Sequence, residues 1–172
     1  YIDIESAIAN GIPVSYTPSA NAKSVAEYTV ALILDAVKKI SYTNKEVKSG
    51  LWNKYKTFNL EGKTIGIVGM GSIGKHIAKI LCEGFGMKLI YNSRTSNPKI
   101  DKKYNTQMVS LYELFEKSDV ISINATCTQE NKGMITSKHL NLMKSHAVLV
   151  NTARAELINK EAFIKCFDKI NC

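Results

Sequence analysis

The stretch Thr64-Ile65-Gly66-Ile67-Val68-Gly69-Met70-Gly71-Ser72-Ile73-Gly74 constrains this chain more than any other. A short apolar run breaks into Gly-x-Gly-x-x-Gly, and Lys75-His76-Ile77-Ala78-Lys79-Ile80-Leu81 continues with helical character. Strand, tight turn and helix form the context that a dinucleotide fingerprint requires. Gly69 permits the sharp turn, Gly71 lets the backbone approach a pyrophosphate, and Gly74 lets the helix pack close to the strand. The helix start then offers unpaired N–H groups and a partial positive charge to an anion. The glycines alone would also suit an ordinary turn; the elements that flank them favour the dinucleotide.

A chain of 172 residues is one domain or a large piece of one. Its hydrophobic share of 45% and charged share of 22% are ordinary for a globular protein. No apolar run reaches membrane-spanning length, and Tyr1 does not begin a signal-peptide pattern. The start without Met points to a fragment or a processed product. The net charge of +8 comes from lysines spread along the chain and not stacked into a stripe, which argues against nucleic acid. A mildly basic surface for anionic ligands and simple drift on solvated faces both fit it. Cys82, Cys127, Cys166 and Cys172 form neither a C-x-x-C pair nor a zinc pattern, so reduced thiols and a cytoplasmic location are expected, with no metal site.

Residues 1–14 suggest a short helix, a turn at Asn10-Gly11 and a brief strand from Ile12 to Tyr16. Ser24, with Glu27 at the capping-box position, opens a long helix that runs to about Ser49 and ends at Gly50. Residues 51–62 are irregular. After the fingerprint helix, Met87 to Tyr91 reads as a strand and Asn92 to Thr106 as a polar surface loop. Ser110 caps a helix through Lys117, Val120 to Ile123 is a strand, Thr136 to Met143 a short helix, Ala147 to Val150 a strand, and Asn159 caps a last helix through about Phe167. Short apolar strands alternating with helices imply a parallel sheet covered on both faces. Right-handed crossovers then give an α/β, doubly wound fold with flanking helices.

In such folds the cofactor is selected at the end of the second strand, where an acidic residue bonds the ribose of NAD. Here that place is Tyr91-Asn92-Ser93-Arg94, with no carboxylate. Ser93 can donate a hydrogen bond and Arg94 can pair with a phosphate, which favours NADP and leaves NAD open. Lys99 is a candidate helper. Arg94 could instead be a solvated loop residue stacked on adenine. Later strand ends, Asn124-Ala125-Thr126 and Asn151-Thr152-Ala153-Arg154, should also face the ligand. A guanidinium at Arg154 could hold a carboxylate and polarise a carbonyl that accepts hydride. On spacing alone, a surface salt bridge is the better explanation of Arg154.

Taken together, the motifs resemble the D-isomer-specific 2-hydroxyacid dehydrogenase family. Gly11-Ile12-Pro13-Val14, Thr17-Pro18, Ser24-Val25-Ala26-Glu27, Leu60-Glu61-Gly62-Lys63-Thr64, the whole fingerprint, Phe85-Gly86-Met87, Leu114 to Ile123, Met143-Lys144 and Asn151-Thr152-Ala153-Arg154 carry the likeness across nearly the whole chain. The resemblance implies a Rossmann-type, NAD(P)-binding domain. By position it implies that Ser72 and Ile73 touch the pyrophosphate, beside the fingerprint glycines Gly69, Gly71 and Gly74 that complete this part of the cofactor site. It places Ser93 where the family has its ribose-binding Asp, with Arg94 beside it. It also implies that Ala125, Thr126 and Asn131 contact the cofactor, that Thr152 and Ala153 line the nicotinamide side, and that Arg154 is the catalytic Arg that binds a 2-oxo acid. The helix opened by Ser24 resembles the one that joins the family's two domains.

The sequence also departs from the family pattern. Asn124 stands where His is common, Thr126 where Pro is usual, and His146 and Ala155 replace frequent glycines. The family's catalytic His and its supporting Glu would lie downstream of Cys172, and none of His76, His139 and His146 matches their motif. The expectation is a dinucleotide-binding domain over residues 1–172. It would belong to an enzyme that moves hydride between NAD(P)H and a small 2-oxo or 2-hydroxy acid, with the substrate domain and catalytic segment mostly absent and this piece inactive alone. A homodimer is implied by resemblance. The alternative is a dinucleotide-sensing, corepressor-like interaction protein.

Overall fold

Four short apolar runs become four parallel strands, β1 (Thr64–Val68), β2 (Lys88–Asn92), β3 (Val120–Ile123) and β4 (Val148–Asn151), ordered β2-β1-β3-β4. The computed structural model describes residues 2–170, the last four by backbone course alone; Tyr1 and Cys172 lie outside this range. The helices are α1 (Ile4–Ala9), α2 (Ala22–Lys38), α3 (Ile40–Lys48), α4 (Ser72–Lys79), α5 (Pro98–Tyr104), α6 (Leu111–Lys117), α7 (Ser137–Leu140) and α8 (Lys160–Ile170). A single π-type turn, Ile80–Gly84, extends α4.

Side chains alternate across the sheet, so each strand feeds two cores. Ile65, Ile67 and Val120 pack with Ala26, Val30 and Ile33 of α2 and Ile77 and Ala78 of α4. Val68, Ile121 and Ile123 pack on the other side with Leu114, Phe115, Leu140 and Leu157. Helices on both faces of a parallel sheet are the doubly wound architecture expected from the alternation. The chain steps from β1 outward to β2, then crosses to β3 on the other side of β1. The carboxyl ends of β1, β2 and β3 therefore frame a switch-point crevice.

Several local expectations need correction. Ile12 to Tyr16 is not a strand: it pairs with no neighbour among the described residues, and Ile12, Val14 and Tyr16 are exposed. Ser24 does not cap α2. The helix begins at Ala22 after Asn21, whose conformation makes no side-chain cap. The long helix is broken at Lys39, which adopts a left-handed conformation (φ 55°). Asp35 stabilises the break, accepting from Ser41 N at 2.6 Å and Ser41 Oγ at 2.9 Å, so the first turn of α3 is capped from the preceding helix. Residues 92–106 are not all loop either. Asn97 accepts from Ile100 N, and Pro98 supplies a preset φ at the first position of α5.

Other expectations hold. Ser110 Oγ accepts from Glu113 N at 3.2 Å and Asn159 Oδ1 from Ala162 N at 2.8 Å. Strands β2 and β4 each sit one residue later than expected. Cys82, Cys127 and Cys166 are free, and burial with the nearby Glu83 charge pushes the Cys82 thiol up to about 11, the behaviour of a small apolar filler.

Candidate functional site

The fingerprint turn is built by three glycines with unlike demands. Gly69 has φ 97°, and a Cβ there would sit 2.6 Å from Ala125 N, inside the backbone of the β3 loop. A Cβ on Gly74 would run into the Gly69 carbonyl and lie 3.1 Å from Ile67 Cγ2. Both residues are glycine because the protein's own atoms leave no room. Gly71 differs: its φ is −78°, and a Cβ there would meet nothing within 4 Å. No atom of this chain explains why Gly71 lacks a side chain. It caps the N-terminus of α4 and makes no side-chain hydrogen bond to it, so the first N–H groups of the helix face open space. A cradle that only a missing Cβ keeps open, ringed by unpaired donors, fits a pyrophosphate.

The cradle opens into a groove of about 560 Å³, a size typical of ligand sites. Its banks are the three strand ends: Val68 to Gly71 after β1, Asn92 to Thr95 after β2, and Asn124 to Thr126 with Thr128, Glu130, Asn131 and Met134 after β3. The β2 bank is tied down by Gly69 N donating to Asn92 O (2.8 Å) and Asn92 Nδ2 donating to Val109 O (2.7 Å). The β3 bank is braced from within, because Asn131 Oδ1 accepts from Thr128 N (2.7 Å) and Asn131 Nδ2 donates to Thr126 O (2.8 Å). The side chain of Asn131 thus holds the loop in shape, and its polar atoms are already engaged.

Of the residues singled out from sequence, Gly69, Gly71, Ser93, Arg94, Ala125, Thr126 and Asn131 line this groove together. Ser72, Ile73 and Gly74 lie just beyond it on α4. Ser72 Oγ is 2.7 Å from Ser19 Oγ, and Ile73 packs against the core. Thr152, Ala153 and Arg154 follow β4, outside the groove lining. Ala153 N donates to Asn151 Oδ1 (3.0 Å), Asn151 Nδ2 donates to Arg154 O (2.9 Å), and Arg154 Nη1 donates to Ala153 O (2.8 Å). Lys99 sits on α5, away from the lining.

Glu130 is a groove residue that sequence reasoning missed. The Thr128 hydroxyl and its own backbone N–H hold its carboxyl below the usual carboxylate range, so a negative charge sits on the β3 bank. No pattern marked it, since a lone Glu in a polar loop has no spacing to read.

None of the three histidines reaches the groove. His139 is buried: its Nδ1 accepts from Thr136 N at 3.1 Å, and its ring stacks near Tyr112 at 4.5 Å. Burial, with Lys138 nearby, lowers its pKa and favours the neutral capping form. His146 lies at the opposite end of the sheet, with Nε2 2.9 Å from Asp119 Oδ1. His76 lies on α4, among the residues around a separate surface depression. Among the described residues, no cluster of three or more His, Cys, Asp or Glu could hold a metal, and no helix is long and apolar enough to cross a membrane.

The comparisons with known proteins agree with this geometry. Residues 30–171 match the family model described as "D-isomer specific 2-hydroxyacid dehydrogenase, NAD binding domain". A glyoxylate reductase of Thermococcus litoralis is 39% identical over 95% of this chain and 52% of its own length. A crystal structure of a D-lactate dehydrogenase from Aquifex aeolicus complexed with NAD and lactic acid superimposes with a TM-score of 0.86 at 31% identity, over 98% of this chain and 51% of that one. The apo D-lactate dehydrogenase of Escherichia coli gives 0.89 at 28% identity, over 98% of this chain and 53% of that one. The chain spans about half the length of the curated relatives it matches.

Proposed function

The chain belongs to the D-isomer specific 2-hydroxyacid dehydrogenase family, and on that footing we propose that residues 1–172 form the dinucleotide-binding domain of an oxidoreductase. Its reaction is hydride transfer between a nicotinamide cofactor and a small 2-oxo or 2-hydroxy acid. The observation that carries this reading is the open cradle at Gly71, at the uncapped N-terminus of α4. The relatives above supply the reaction class: they are a glyoxylate reductase and D-lactate dehydrogenases. Because those relatives are enzymes, the alternative of a dinucleotide-sensing interaction protein gains nothing from them.

When bound, the nicotinamide ring supplies or accepts the hydride. The work of this chain is to bind and orient. The N–H groups at the start of α4 receive the pyrophosphate, Gly71 lets it approach, and the β3 loop held by Asn131 forms the far bank. Ser93 and Arg94 take the ribose end. Without a carboxylate at the end of β2, Arg94 is free to pair with a 2′-phosphate, and NADP is preferred over NAD. Glu130 on the opposite bank opposes that preference and sets its limit. Arg154, exposed beyond β4, holds the substrate carboxylate and steadies the charge that develops on the carbonyl oxygen. None of the three histidines lies at the groove, so none of them is placed to give the proton, and the chain alone is expected to be inactive.

Assembly and location follow from the same reading. Tyr16 and Trp52 are 84% and 82% exposed, and Ile8, Ile12, Ile40 and Leu51 are also exposed around them in sequence. That much apolar surface suits contact with a second copy, as a homodimer. Its free cysteines suit the cytoplasm.

Calorimetric titration of the chain with NADPH and NADH tests the proposal. Saturable binding of both, with NADPH the tighter, is expected. Absence of binding by either would overturn it, and tighter binding of NADH would overturn the cofactor preference alone.

A further inference from the structure

Tyr91 is wholly buried in β2, yet it carries a hydroxyl. Phenylalanine has the same ring and would fill the same space beside Ile65 and Leu89 with no polar atom to satisfy, so the hydroxyl calls for an explanation. Its contacts supply one. The phenol donates to Asp101 Oδ1 at 2.6 Å, the short distance of a hydrogen bond to a charged acceptor, and accepts from Asn97 N at 2.8 Å. A phenol has one proton to give and lone pairs to receive with, and here both capacities are used. Burial, with the Asp101 carboxylate beside it, raises its pKa, so the proton stays in place.

Both partners lie at the start of α5: Asn97 is its N-cap, and Asp101 stands in its first turn. Ile100 and Tyr104 already pack α5 against the core. Apolar packing has no direction, so it leaves open how the start of the helix is turned. The phenol closes that freedom, because it grips the cap backbone and a side chain further along the helix at once. The consequence runs to the groove. Ser93, Arg94, Thr95 and Ser96 cross from the end of β2 to this cap. Asn92 is held at one end of the crossing by Gly69 N and Val109 O, and Asn97 is held at the other by Tyr91. Ser93, Arg94 and Thr95 line the groove. A long guanidinium side chain loses much freedom when it is ordered on a ligand, and a backbone fixed at both ends leaves it less to lose.

We propose that Tyr91 is a positioning residue for cofactor selection: from inside the core, its hydroxyl fixes the start of α5 and so sets the course of the loop that carries Arg94 to the 2′-phosphate. This rests on the dinucleotide reading above and on the part it gives Arg94. In sequence Tyr91 is one more aromatic in an apolar strand, and no spacing links it to Asn97 or Asp101.

The test compares the affinities of 2′-phospho-ADP-ribose and ADP-ribose, which differ only in that phosphate and both lack the nicotinamide ring. Titration calorimetry of the wild-type chain should show the phosphorylated ligand to be the tighter. Tyr91→Phe is expected to reduce that preference about threefold to fivefold, with ADP-ribose unchanged within about twofold. A role in packing alone would weaken both ligands together or neither. In an Arg94→Ala background, Tyr91→Phe should reduce the preference no further, because the hydroxyl acts through the guanidinium. If Tyr91→Phe does not fold, Asp101→Ala carries the same comparison from the helix side, since it removes the acceptor of the phenol and should shift the preference in the same direction. The proposal is overturned if the folded variant keeps the wild-type preference, if both ligands weaken by the same factor, or if the double variant falls below Arg94→Ala alone. If the wild-type chain binds neither ligand, the dinucleotide reading falls and takes this proposal with it. If it binds both equally, the part given to Arg94 falls, and this proposal with it. A preference lost in Arg94→Ala but kept in Tyr91→Phe sinks this proposal alone.

Discussion

The two ends of the sheet are built on opposite terms. At the amino end, Asp119 is almost fully buried, and its polar partners are all in place: Thr64 N donates to it at 2.8 Å, Lys144 Nζ at 2.9 Å and His146 Nε2 at 2.9 Å. Its own backbone joins the starts of β1 and β4, since Asp119 N donates to Thr64 O and Val148 N to Asp119 O. At the carboxyl end the account is left open. The first N–H groups of α4 lack a capping side chain, and Gly71 faces empty space. A buried polar group without a partner costs about 1–3 kcal/mol, so a fold tolerates open positions where something else completes them. The closed end holds the strands in register; the open end is where the ligand belongs.

If this contrast is right, mutations should separate the two functions. Gly71→Val fills the cradle and is expected to weaken NADPH binding at least about a hundredfold, or about 2.7 kcal/mol. The melting temperature should barely move, because a Cβ at this position meets no protein neighbour. Titration calorimetry beside a thermal melt checks both, and a variant that binds normally would break the contrast at its open end.

Asp119→Ala should do the reverse. It removes the partner of the Lys144 ammonium, the His146 ring and one backbone donor, and is expected to destabilise the fold by about 2 kcal/mol, discounted because Lys144 and His146 are partly solvated. NADPH affinity should stay within about twofold at temperatures where the variant is folded. Denaturant unfolding reads the first effect.

Acid offers a second route to the same end. Burial raises the Asp119 carboxyl, but the Thr64 N–H, Lys144 and His146 outweigh it and hold it down at about 2. A carboxyl depressed in the folded state stabilises fully above its unfolded value of about 3.9, and that stabilisation fades as pH falls toward 2. The wild-type chain should therefore lose about 2 kcal/mol between about pH 5 and pH 2 that Asp119→Ala does not lose. Parallel acid-unfolding curves for the two proteins would refute this.

The smallest expected effects concern the groove banks. Arg94→Ala should lower the preference for NADPH over NADH about fivefold to tenfold, and Glu130→Gln should raise it about twofold to threefold. Competition binding with the two cofactors measures each. No change in Arg94→Ala would mean that the guanidinium merely lies on the rim.

Much of the closed end was legible in the sequence. The apolar runs around Ile65, Ile121 and Leu149 marked the strands, and Ser110 and Asn159 marked two helix starts through side chains that do cap them. The breaks were harder. Lys39 interrupts the α2–α3 run with no glycine or proline to announce it, because the capping side chain, Asp35, precedes the break. The Asn97-Pro98 pair is a helix-start signal, but it lies in a stretch whose polar composition suggests loop. Ile12 to Tyr16 alternates like a strand yet finds no sheet to join. In the site, the glycines and strand-end residues could be placed from spacing. Glu130 could not, since a lone Glu in a polar loop has no spacing to read.

The open end can be tested atom by atom. Amide resonances of the isotope-labelled chain, followed by NMR during titration with NADPH, report which N–H groups the ligand reaches. The largest shifts are expected at Ser72, Ile73 and Gly74, at the start of α4, and at Ser93 and Arg94, while Thr64, Asp119 and Lys144 stay still. Shifts centred on the amino end of the sheet, or none at the α4 N-terminus, would contradict the assignment of this crevice as the dinucleotide site.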